Sequence, residues 1–436
     1  MNYKETIQYL YDALPVFHRI GKVAYKANLD NSILLDNHFG KPHEKYKTIH
    51  VAGTNGKGSV SSIIASVLYS AGYKTGLYTS PHLFDFRERI KVNGQKIPEQ
   101  HVIDFVEKNR SFIEDLRPSF FEITSSMAFW VFAEMEVDVA VIETGLGGRL
   151  DSTNIITPKL SVITNIGFDH TELLGNSLDK IASEKAGIIK CSVPVIVGEK
   201  HEQTTEIFVA KSKESNSPLF FAEDCLKILS SENKLPGKQI FTFASLNKDL
   251  FPENEFTASL DLEGNYQSKN IVTALSSIAV LKKQSFEISQ KAEQQGLAHA
   301  ASNTGFKGRW QILKRNPAII CDTGHNAHGL KYTMQQLKEQ NCERLYFVLG
   351  VVGDKDLDTI IPLLPENAYY FFTQASIPRA MDAGILAKKC TAAGLKGEIA
   401  DTVNEAVKKA LEKTSANDLI FIGGSTYVVA DLTTPL

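Results

Sequence analysis

Residues 51–59 read V-A-G-T-N-G-K-G-S and join an apolar, strand-like run to a helix-like run. Three glycines, a lysine and a hydroxyl at such a turn suit a nucleotide's phosphates, because glycine lets backbone N–H groups close around oxygen atoms and the helix N-terminus adds positive potential. Lys57 can reach the β- and γ-phosphates, and Ser59 opens the helix and can donate to a phosphate oxygen. Gly58 separates these two residues, which departs from the common G-x-x-x-x-G-K-S/T spacing. A plain glycine-rich turn is the alternative, but the flanking runs favour an ATP-binding loop.

The size and composition of the chain are typical of a soluble enzyme with two domains. Its 436 residues exceed the length at which a single core stops growing. Hydrophobic residues make up 43% of the chain, and no stretch approaches the roughly 18 apolar residues that a membrane span requires. The net charge of −3 argues against nucleic acid as the main partner, since such binding needs clustered positive charge.

The N-terminus and the cysteines predict a cytoplasmic protein. Residues 1–14 mix charged and apolar side chains and contain no apolar signal-peptide core. The five cysteines are scattered and show no C-x-x-C pairing, which suits reduced thiols and suggests neither a disulfide framework nor a zinc site. Because no long coiled-coil segment is visible, we expect a monomer.

From residue 48 onward, short β-rich runs alternate with amphipathic helical runs. Strands are predicted at 48–51, 75–78, 137–142, 160–163 and 194–197, and helices at 60–71, 102–116, 123–135 and 178–189. This alternation predicts a mostly parallel sheet with helices on both faces. Residues 225–262 are more polar and predict antiparallel strands, and a helix follows at 270–283.

A second α/β pattern begins near residue 300. Its predicted strands are 310–313, 318–320, 345–349, 369–372 and 419–422, with a helix from Gly329. The polar stretch Gln294–Gly308 is the predicted linker, so we expect an ATP-binding domain at 1–299 and a smaller domain at 300–436. The second domain has no glycine-rich phosphate loop of its own and is expected to close over the first.

Three clusters follow predicted strands of the first domain, where open α/β sheets place their ligands. Glu143 ends an apolar strand and precedes three glycines, which resembles the acidic strand end that serves magnesium in phosphate-loop enzymes. His170 follows a buried strand beside Asp169. A single histidine in this position is more often structural, but the two other clusters at strand ends favour His170 as a metal ligand. Lys185 lies in S-E-K-A-G-I-I-K, residues 183–190, and by itself is interpreted as an ordinary helix-surface lysine.

The second half contains one comparable cluster. Asp322 ends a predicted strand and precedes Gly324, His325 and Asn326, residue types that can bind a ribose hydroxyl, a phosphate or a carboxylate. The turn G-D-K-D at 353–356 is similar, but a solvated loop explains it equally well.

Together these clusters closely resemble the folylpolyglutamate synthase/dihydrofolate synthase family, a branch of the Mur ligase superfamily. The matching stretches are H-V-A-G-T-N-G-K-G-S-V (50–60), Y-T-S-P-H-L (78–83), R-E-R-I (87–90), F-F-E-I-T (120–124), E-T-G-L-G-G-R-L-D-S-T-N (143–154), I-G-F-D-H-T-E-L-L-G (166–175) and I-A-S-E-K-A-G-I-I-K (181–190). Fainter matches are G-R (308–309), D-T-G-H-N (322–326) and G-S-T-Y (424–427). The ordered set covers most of the chain and is far more specific than the phosphate loop alone.

The resemblance implies an α/β protein with a phosphate-loop domain of the Mur ligase central type and a smaller Rossmann-like C-terminal domain. It also implies an ATP-dependent ligase. The carboxylate of dihydropteroate or a reduced folate would attack the γ-phosphate of ATP, and L-glutamate would attack the resulting acyl phosphate. Two Mg²⁺ ions would neutralise the phosphate charge. The sequence leaves a requirement for a monovalent cation undetermined.

The resemblance also implies roles for individual residues of this chain. The residues implied to bind ATP are Asn55, Gly56, Lys57, Gly58, Ser59, Asn270, Arg309 and Asp322. The residues implied to hold the metal ions are Ser80, Glu143, His170 and Lys185, the last as a carbamate. Lys57, His170 and Lys185 are the implied catalytic residues. The residues implied to contact glutamate are Arg89, His325 and Ser425, and those implied to contact the pteroate are Phe120, Phe121, Glu122 and Asp151.

Three motifs depart from the family pattern, and several alternatives stay open. D-T-G-H-N-A (322–327), K-G-R (307–309) and Y-Q (266–267) replace D-G-A-H-N-P, P-G-R and H-Q. Core packing explains the two phenylalanines as well as pterin stacking does. The rival functions are another Mur-type amino-acid ligase and a nucleotide-switch protein, although the chain contains no N-K-x-D run for guanine. Whether the enzyme makes dihydrofolate, extends the glutamate tail or does both is also open.

Overall fold

The computed structural model describes residues 1–14, 28–235 and 237–433. The chain forms two compact units, which are described separately below. The first comprises Met1–Leu262 and Gln267–Phe306, and the second comprises Glu263–Tyr266 and Lys307–Leu436.

The main sheet of the first unit has eight strands and is mostly parallel, as the alternating pattern predicts. Its strands are β1 (Lys47–Ala52), β2 (Thr75–Tyr78), β3 (Ile90–Val92), β4 (Gln95–Lys96), β5 (Val139–Glu143), β6 (Leu160–Ile163), β7 (Val195–Val197) and β8 (Leu219–Phe221). Their order is β4-β3-β2-β5-β1-β6-β7-β8, and all neighbours from β2 to β8 are parallel. The β3–β4 hairpin adds an antiparallel edge. The carboxyl ends of the parallel strands therefore meet at one edge, where ligands bind in such sheets.

Helices cover both faces of this sheet. The helices of the first unit are α1 (Tyr3–Ala13), α2 (Asp30–His38), α3 (Lys57–Ser70), α4 (Glu99–Leu116), α5 (Phe120–Glu134), α6 (Thr171–Leu174), α7 (Leu178–Ala186), α8 (Thr205–Glu214), α9 (Ala222–Cys225), α10 (Gln267–Lys283), α11 (Gln290–Ala298) and α12 (Ala300–Thr304). Alternate residues of β5 enter different cores: Val141 packs with α3 and α10, whereas Ile142 packs with α4 and α5. A strand buried on both sides reads as a continuous apolar run, which is why the sequence reveals it.

The predicted antiparallel segment is a separate three-stranded sheet. It consists of β9 (Leu226–Leu235), β10 (Lys238–Ser245) and β11 (Glu255–Leu260), in the order β11-β10-β9. Phe241 and Phe243 of β10 are buried in the core that also contains α3 and α10. The alternation of these phenylalanines with polar residues is typical of a sheet with one solvated face.

The predicted linker at Gln294–Gly308 contains the boundary between the units, at Phe306 and Lys307, but is wrong for most of its length. Most of this stretch lies in α11 and α12, and Leu297 and Ala300 are buried in the first unit's core. Gln294 and Gln295 are exposed, whereas Asn303 Nδ2 donates to Ser66 Oγ (3.0 Å) of α3, so the polar composition of the segment belongs to helices that pack on the first unit. The predicted domain ranges of 1–299 and 300–436 stay a prediction.

The second unit is a six-stranded α/β sheet. Its strands are β12 (Gln311–Arg315), β13 (Ala318–Cys321), β14 (Leu345–Leu349), β15 (Tyr369–Phe372), β16 (Lys396–Ile399) and β17 (Leu419–Gly423), in the order β12-β13-β17-β14-β15-β16. Among these six strands, β12 and β13 pair antiparallel and the other neighbours pair parallel. The helices are α13 (Ala327–Lys338), α14 (Leu357–Ile360), α15 (Ala383–Ala392), α16 (Val403–Lys413) and α17 (Thr426–Ala430). No helix in the described parts of either unit has both the length and the apolarity needed to cross a bilayer.

Candidate active site

The glycine-rich loop turns sharply between β1 and α3. Gly56 is the N-cap residue of α3 with φ +82°, so the helix begins at Lys57 and not, as predicted, at Ser59. A side chain at Gly56 would be strained by this φ value and would also overlap Asn270 Oδ1. The loop therefore requires glycine here for its conformation and for the close approach of α10.

The segment that follows β6 holds the loop from one side. The Thr54 N–H donates to Asn165 O (3.0 Å), and the Asn55 N–H donates to Asn165 Oδ1 (2.9 Å). The Thr164 hydroxyl donates to Asn55 O (2.6 Å), while the Thr54 hydroxyl donates to Gly167 O (3.1 Å). Sequence reasoning missed Thr164 and Asn165, although they directly precede the motif that contains His170.

Helix α10 approaches the loop from a distant part of the chain. Gln267 Nε2 donates to Ser59 Oγ (3.3 Å), and Asn270 Nδ2 donates to Gln267 Oε1 (2.8 Å). All three side chains are buried. The structure thus brings Asn270 to the phosphate loop, and its contact with ATP stays a prediction.

Glu143 and Ser80 lie at the same edge of the sheet. Glu143 is the last residue of β5, pairs in register with Val51 and is buried. The Ser80 N–H donates to Glu143 Oε2 (3.2 Å). That oxygen lies 3.6 Å from the position that a Cβ atom of residue 58 would occupy, so the carboxylate faces the start of α3.

Lys185 is not the surface lysine that its local sequence indicates. Its side chain is 3% exposed, and Nζ donates to Gly53 O (2.9 Å). Burial, and next the positive charge of Lys57, lowers the pKa of Lys185 to about 7, while Asp169 and Asp151 act in the opposite direction. A cation is costly to bury, so the ammonium form is disfavoured here and the uncharged amine is populated near neutral pH.

His170 lies at the beginning of α6 with a left-handed backbone, φ +49°. The backbone N–H of His170 donates to Asp169 Oδ1 (2.9 Å), and His170 Nε2 lies 3.9 Å from the same oxygen. The Gly167 N–H, three residues earlier, donates to the Thr54 hydroxyl (3.0 Å), which ties this segment to the phosphate loop. In residues 1–14, 28–235 and 237–433, no three His, Cys, Asp or Glu side chains form a group that could hold a metal ion.

The carboxylate of Asp151 accepts hydrogen bonds from residues of its own loop. Asp151 Oδ2 accepts from the N–H groups of Gly145 (2.9 Å) and Leu146 (2.8 Å), and Oδ1 accepts from the N–H (3.1 Å) and hydroxyl of Thr153. Burial raises the pKa of Asp151, whereas these hydrogen bonds oppose that shift. The geometry shows Asp151 organising the glycine-rich turn after β5, and its predicted contact with the pteroate stays a prediction.

Glu122 also has a local structural partner. It is the third residue of α5 and forms a capping box with Ser119, in which each side chain accepts from the other residue's backbone N–H. Asn31 Nδ2 donates to Glu122 Oε2 (3.2 Å). The capping box explains why a glutamate occurs at the beginning of this helix.

The two predicted pterin-stacking rings lie in different surroundings. Phe120 is buried and stacks on Tyr11, with ring centroids 5.1 Å apart, and the Arg89 guanidinium lies 5.3 Å from its ring centroid. Phe121 is half-buried and its ring packs directly against Gly145. Phe120 therefore packs in the core, whereas Phe121 lies beside the loop that follows Glu143.

Arg89 is positioned by a short chain of side chains. It is 6% exposed, and its Nε donates to His82 Nδ1 (2.8 Å). His82 Nε2 lies 3.1 Å from the Tyr11 hydroxyl. Because Nδ1 accepts a hydrogen bond, the neutral His82 ring carries its proton on Nε2 and donates to Tyr11.

In the second unit, Asp322 directly follows β13 and is buried. Its Oδ2 accepts from the Tyr266 hydroxyl (2.6 Å) and the Trp310 N–H (2.7 Å), and Oδ1 accepts from the Gly324 N–H (2.7 Å). Burial and then the charge of Asp322 raise the pKa of Tyr266. Tyr266, which replaces the family's histidine, is thus a hydrogen-bond donor to the predicted ATP ligand.

The other predicted residues of this unit lie near the ends of β13 and β17. Arg309 Nη1 donates to the Thr323 hydroxyl, and His325 Nδ1 lies 3.1 Å from Thr323 O. Ser425 is buried and is the N-cap residue of α17, its hydroxyl accepting from the Tyr427 N–H (3.1 Å).

Comparison with known proteins identifies the family. Residues 51–278 match the Mur ligase middle domain, and residues 308–426 match the Mur ligase glutamate ligase domain. The dihydrofolate synthase/folylpolyglutamate synthase of Bacillus subtilis is 31% identical over 437 residues, which cover 97% of each chain. This chain belongs to the dihydrofolate synthase/folylpolyglutamate synthase family.

Solved structures of that family share the fold. The Escherichia coli FolC structure in complex with DHPP and ADP matches with a TM-score of 0.83 and 28% identity, over 99% of this chain and 96% of that one. The Mycobacterium tuberculosis folylpolyglutamate synthase with ADP matches with a TM-score of 0.85 and 27% identity, over 98% and 96% of the chains. The predicted fold class and the predicted enzyme class, an ATP-dependent ligase of an acid and an amino acid, are confirmed.

One residue beside the phosphate loop predicts a pH dependence of folding. His50 of β1 is fully buried, and its Nε2 lies 2.8 Å from the Thr153 hydroxyl. Burial, and next the charge of Lys190, lowers the pKa of His50 to about 3. Between about pH 6.5 and 3 the unfolded chain therefore binds a proton that the folded chain does not, so stability falls as the pH falls.

We expect the free energy of unfolding to drop by about 2 kcal/mol from this group between pH 7 and pH 5. Urea unfolding at both pH values, for the unchanged protein and for His50→Gln, measures the difference. The glutamine variant should lose that part of the pH dependence, and identical pH profiles would contradict the assignment.

Proposed function

We propose that this chain joins L-glutamate to the carboxylate of dihydropteroate or of a reduced folate and cleaves ATP to do so. The observation that carries the proposal is the convergence of the loop at 53–59, buried Glu143 and buried Lys185 at the carboxyl edge of one parallel sheet. Such an edge, with one carboxylate, one buried amine and a helix N-terminus, suits phosphate transfer. Membership of the family and the ligands named for its solved members support the substrate assignment.

The residues present fit ATP and Mg²⁺. Gly56 and Gly58 keep the N-terminus of α3 open to phosphate oxygens, and Lys57 lies at its first position. Mg²⁺ usually takes one or two carboxylates together with substrate phosphates and waters, so a single buried Glu143 beside Ser80 is an adequate protein contribution. When bound, Mg²⁺ would neutralise the charge of the transferred phosphate.

We further propose that Lys185 is carbamylated. An ammonium at this position would repel a metal ion, whereas a carbamate supplies oxygen ligands. The modified nitrogen keeps one hydrogen, so the hydrogen bond to Gly53 O can persist. Ser80, Glu143 and His170 would complete the protein ligands of two metal ions.

The reaction needs a leaving group because a carboxylate does not react directly with an amine. A carboxylate oxygen of the pteroate attacks the γ-phosphorus as the bond to the β-phosphate oxygen breaks, and ADP leaves. The amine nitrogen of glutamate then attacks the acyl carbon, and inorganic phosphate leaves as the amide forms. Lys57 and the amides of the loop at 53–59 would hold the phosphates in line for the first step.

The remaining roles follow the family and are proposals. Asn270, Arg309 and Asp322 would bind the nucleotide, and Arg89, His325 and Ser425 would bind glutamate. Phe121 is better placed than buried Phe120 to contact the pteroate, near Glu122 and Asp151. The cytoplasmic location, the monomeric state and any monovalent-cation requirement stay predictions.

Phosphate release by the purified protein tests the function. We expect release with MgATP, L-glutamate and dihydropteroate if the chain makes dihydrofolate, and with tetrahydrofolate if it extends the glutamate tail. Omission of glutamate should abolish release in either case. If neither acid gives phosphate release although the protein binds ATP, the folate substrates are rejected.

A further inference from the structure

A line of polar side chains runs from the surface to the backbone of the phosphate loop. Lys269 of α10 forms an ion pair with Glu199, which follows β7. Glu199 Oε1 accepts from Asn165 Nδ2 (3.1 Å), and Asn165 Oδ1 accepts from the Asn55 N–H (2.9 Å). Three elements far apart in sequence thus meet at one amide of the loop.

The side-chain amide of Asn165 has two chemically different ends, and only one suits Asn55. The Asn55 N–H is a donor, so it needs the Oδ1 acceptor, and a rotated amide would present Nδ2, a second donor. A carboxylate has no hydrogen to donate when ionised, so Glu199 can bond only to the Nδ2 end. Glu199 therefore determines which end of Asn165 faces the loop.

The surroundings keep these groups in place. Asn165 is 9% exposed, and the Glu199 side chain is 17% exposed. The Gly198 N–H donates to Ile163 O (2.8 Å), which holds the residue before Glu199 against the end of β6. A Cβ atom at residue 198 would overlap Thr164 O, so glycine there permits the close approach of the two strand ends. Lys269, with 40% of its side chain exposed, balances the charge of Glu199.

We infer that Glu199 and Asn165 are positioning residues for the nucleotide: Glu199 orients the amide of Asn165, and Asn165 in turn holds the Asn55 segment of the phosphate loop in its binding conformation. Neither residue needs to touch the nucleotide for this role. The inference rests on the proposed function, because it concerns the loop that is proposed to bind ATP.

A swap of acid and amide tests the inference. In Asn165→Asp, the introduced carboxylate can still accept from Asn55 but faces the carboxylate of Glu199, and the two repel. In Glu199→Gln, the introduced amide still offers an oxygen acceptor to Asn165 Nδ2. In the double variant N165D/E199Q, the introduced amide can donate to the introduced carboxylate, and the pair is restored in the opposite direction with its net charge unchanged.

We expect the Kd for ADP, measured by calorimetry with Mg²⁺, to rise about tenfold or more in N165D and to stay within about twofold in E199Q, since one hydrogen bond to a charged group corresponds to about that factor. The double variant should return to within about threefold of the unchanged protein. The KM for MgATP should follow the same order, while the KM for glutamate should not change. A general structural defect would not be repaired by a second substitution.

Lys269→Met is the matched control because it removes the ion pair of Glu199 and leaves its hydrogen bond to Asn165. We expect its Kd for ADP to stay within about twofold, as for other exposed ion pairs. A tenfold loss in K269M, an unchanged Kd in N165D, or no recovery in the double variant would each overturn the inference. If the unchanged protein binds no ADP, the proposed function fails as well; if it binds ADP and the swap has no effect, only this inference fails.

Discussion

Replacing Lys185 with alanine should lower the rate of glutamate-dependent phosphate release by about 10²–10³-fold, the usual effect of removing one group that stabilises charge in a transition state. The side chain is buried against Gly53 O at the beginning of the phosphate loop, so alanine removes the nitrogen from that position. We expect the Kd for ADP to change only a few-fold, because the loop keeps its bonds to Thr164 and Asn165. Steady-state kinetics and calorimetry on the same preparation separate the two effects.

Two further measurements belong to this experiment: rescue of K185A by acetate, and a control substitution at the neighbouring Lys190. If Lys185 acts as a carbamate, millimolar acetate should restore part of the K185A activity by supplying a carboxylate in the space left by the side chain. Lys190 is the matched control: it lies in the same segment, is half-buried and donates to a backbone carbonyl, Asn154 O (2.8 Å). K190A should lose stability but keep its turnover. Unchanged turnover in K185A would refute the role of Lys185.

Replacing Gly56 with alanine should raise the Kd for ADP by about 10- to 100-fold. An L-residue in a left-handed conformation costs about 1–2 kcal/mol, and the added methyl group would also overlap Asn270 Oδ1, so the loop must shift at the first turn of α3. Each 1.4 kcal/mol of lost binding energy corresponds to a factor of ten in Kd. Calorimetry with ADP and Mg²⁺ measures the change directly.

Gly72, beyond the other end of α3, is the matched control for backbone strain. It also has a positive φ, +96°, but a Cβ atom there would meet no other atom within 4 Å. G72A should therefore lower the melting temperature as G56A does, without a change in ADP affinity. If both variants bind ADP like the unchanged protein, the loop does not bind the nucleotide in the conformation described.

The sequence by itself determined the elements whose pattern is local. The strands at 75–78, 160–163 and 345–349 were predicted with the bounds that the structure has, because each is a short apolar run buried on both faces. The phosphate loop was found for the same reason, since its glycines, lysine and serine are contiguous. The β3–β4 hairpin was missed because its strands are very short, although Asn93-Gly94 at its turn is a hairpin signal. The predicted linker was wrong for most of its length because polar composition outweighed the apolar spacing of α11 and α12.

The tertiary structure alone decided which of these residues meet and in what environment. Nothing local distinguishes Lys185 from a solvated lysine, because its burial depends on strands and loops that pack around it from elsewhere in the chain. The same holds for Asn270 against Gly56 and for the line from Glu199 through Asn165 to Asn55, which join segments far apart in sequence. Backbone preferences and hydrophobic periodicity act over a few residues and can be read directly. Desolvation, charge pairing and hydrogen-bond direction depend on neighbours in space, which only the folded chain supplies.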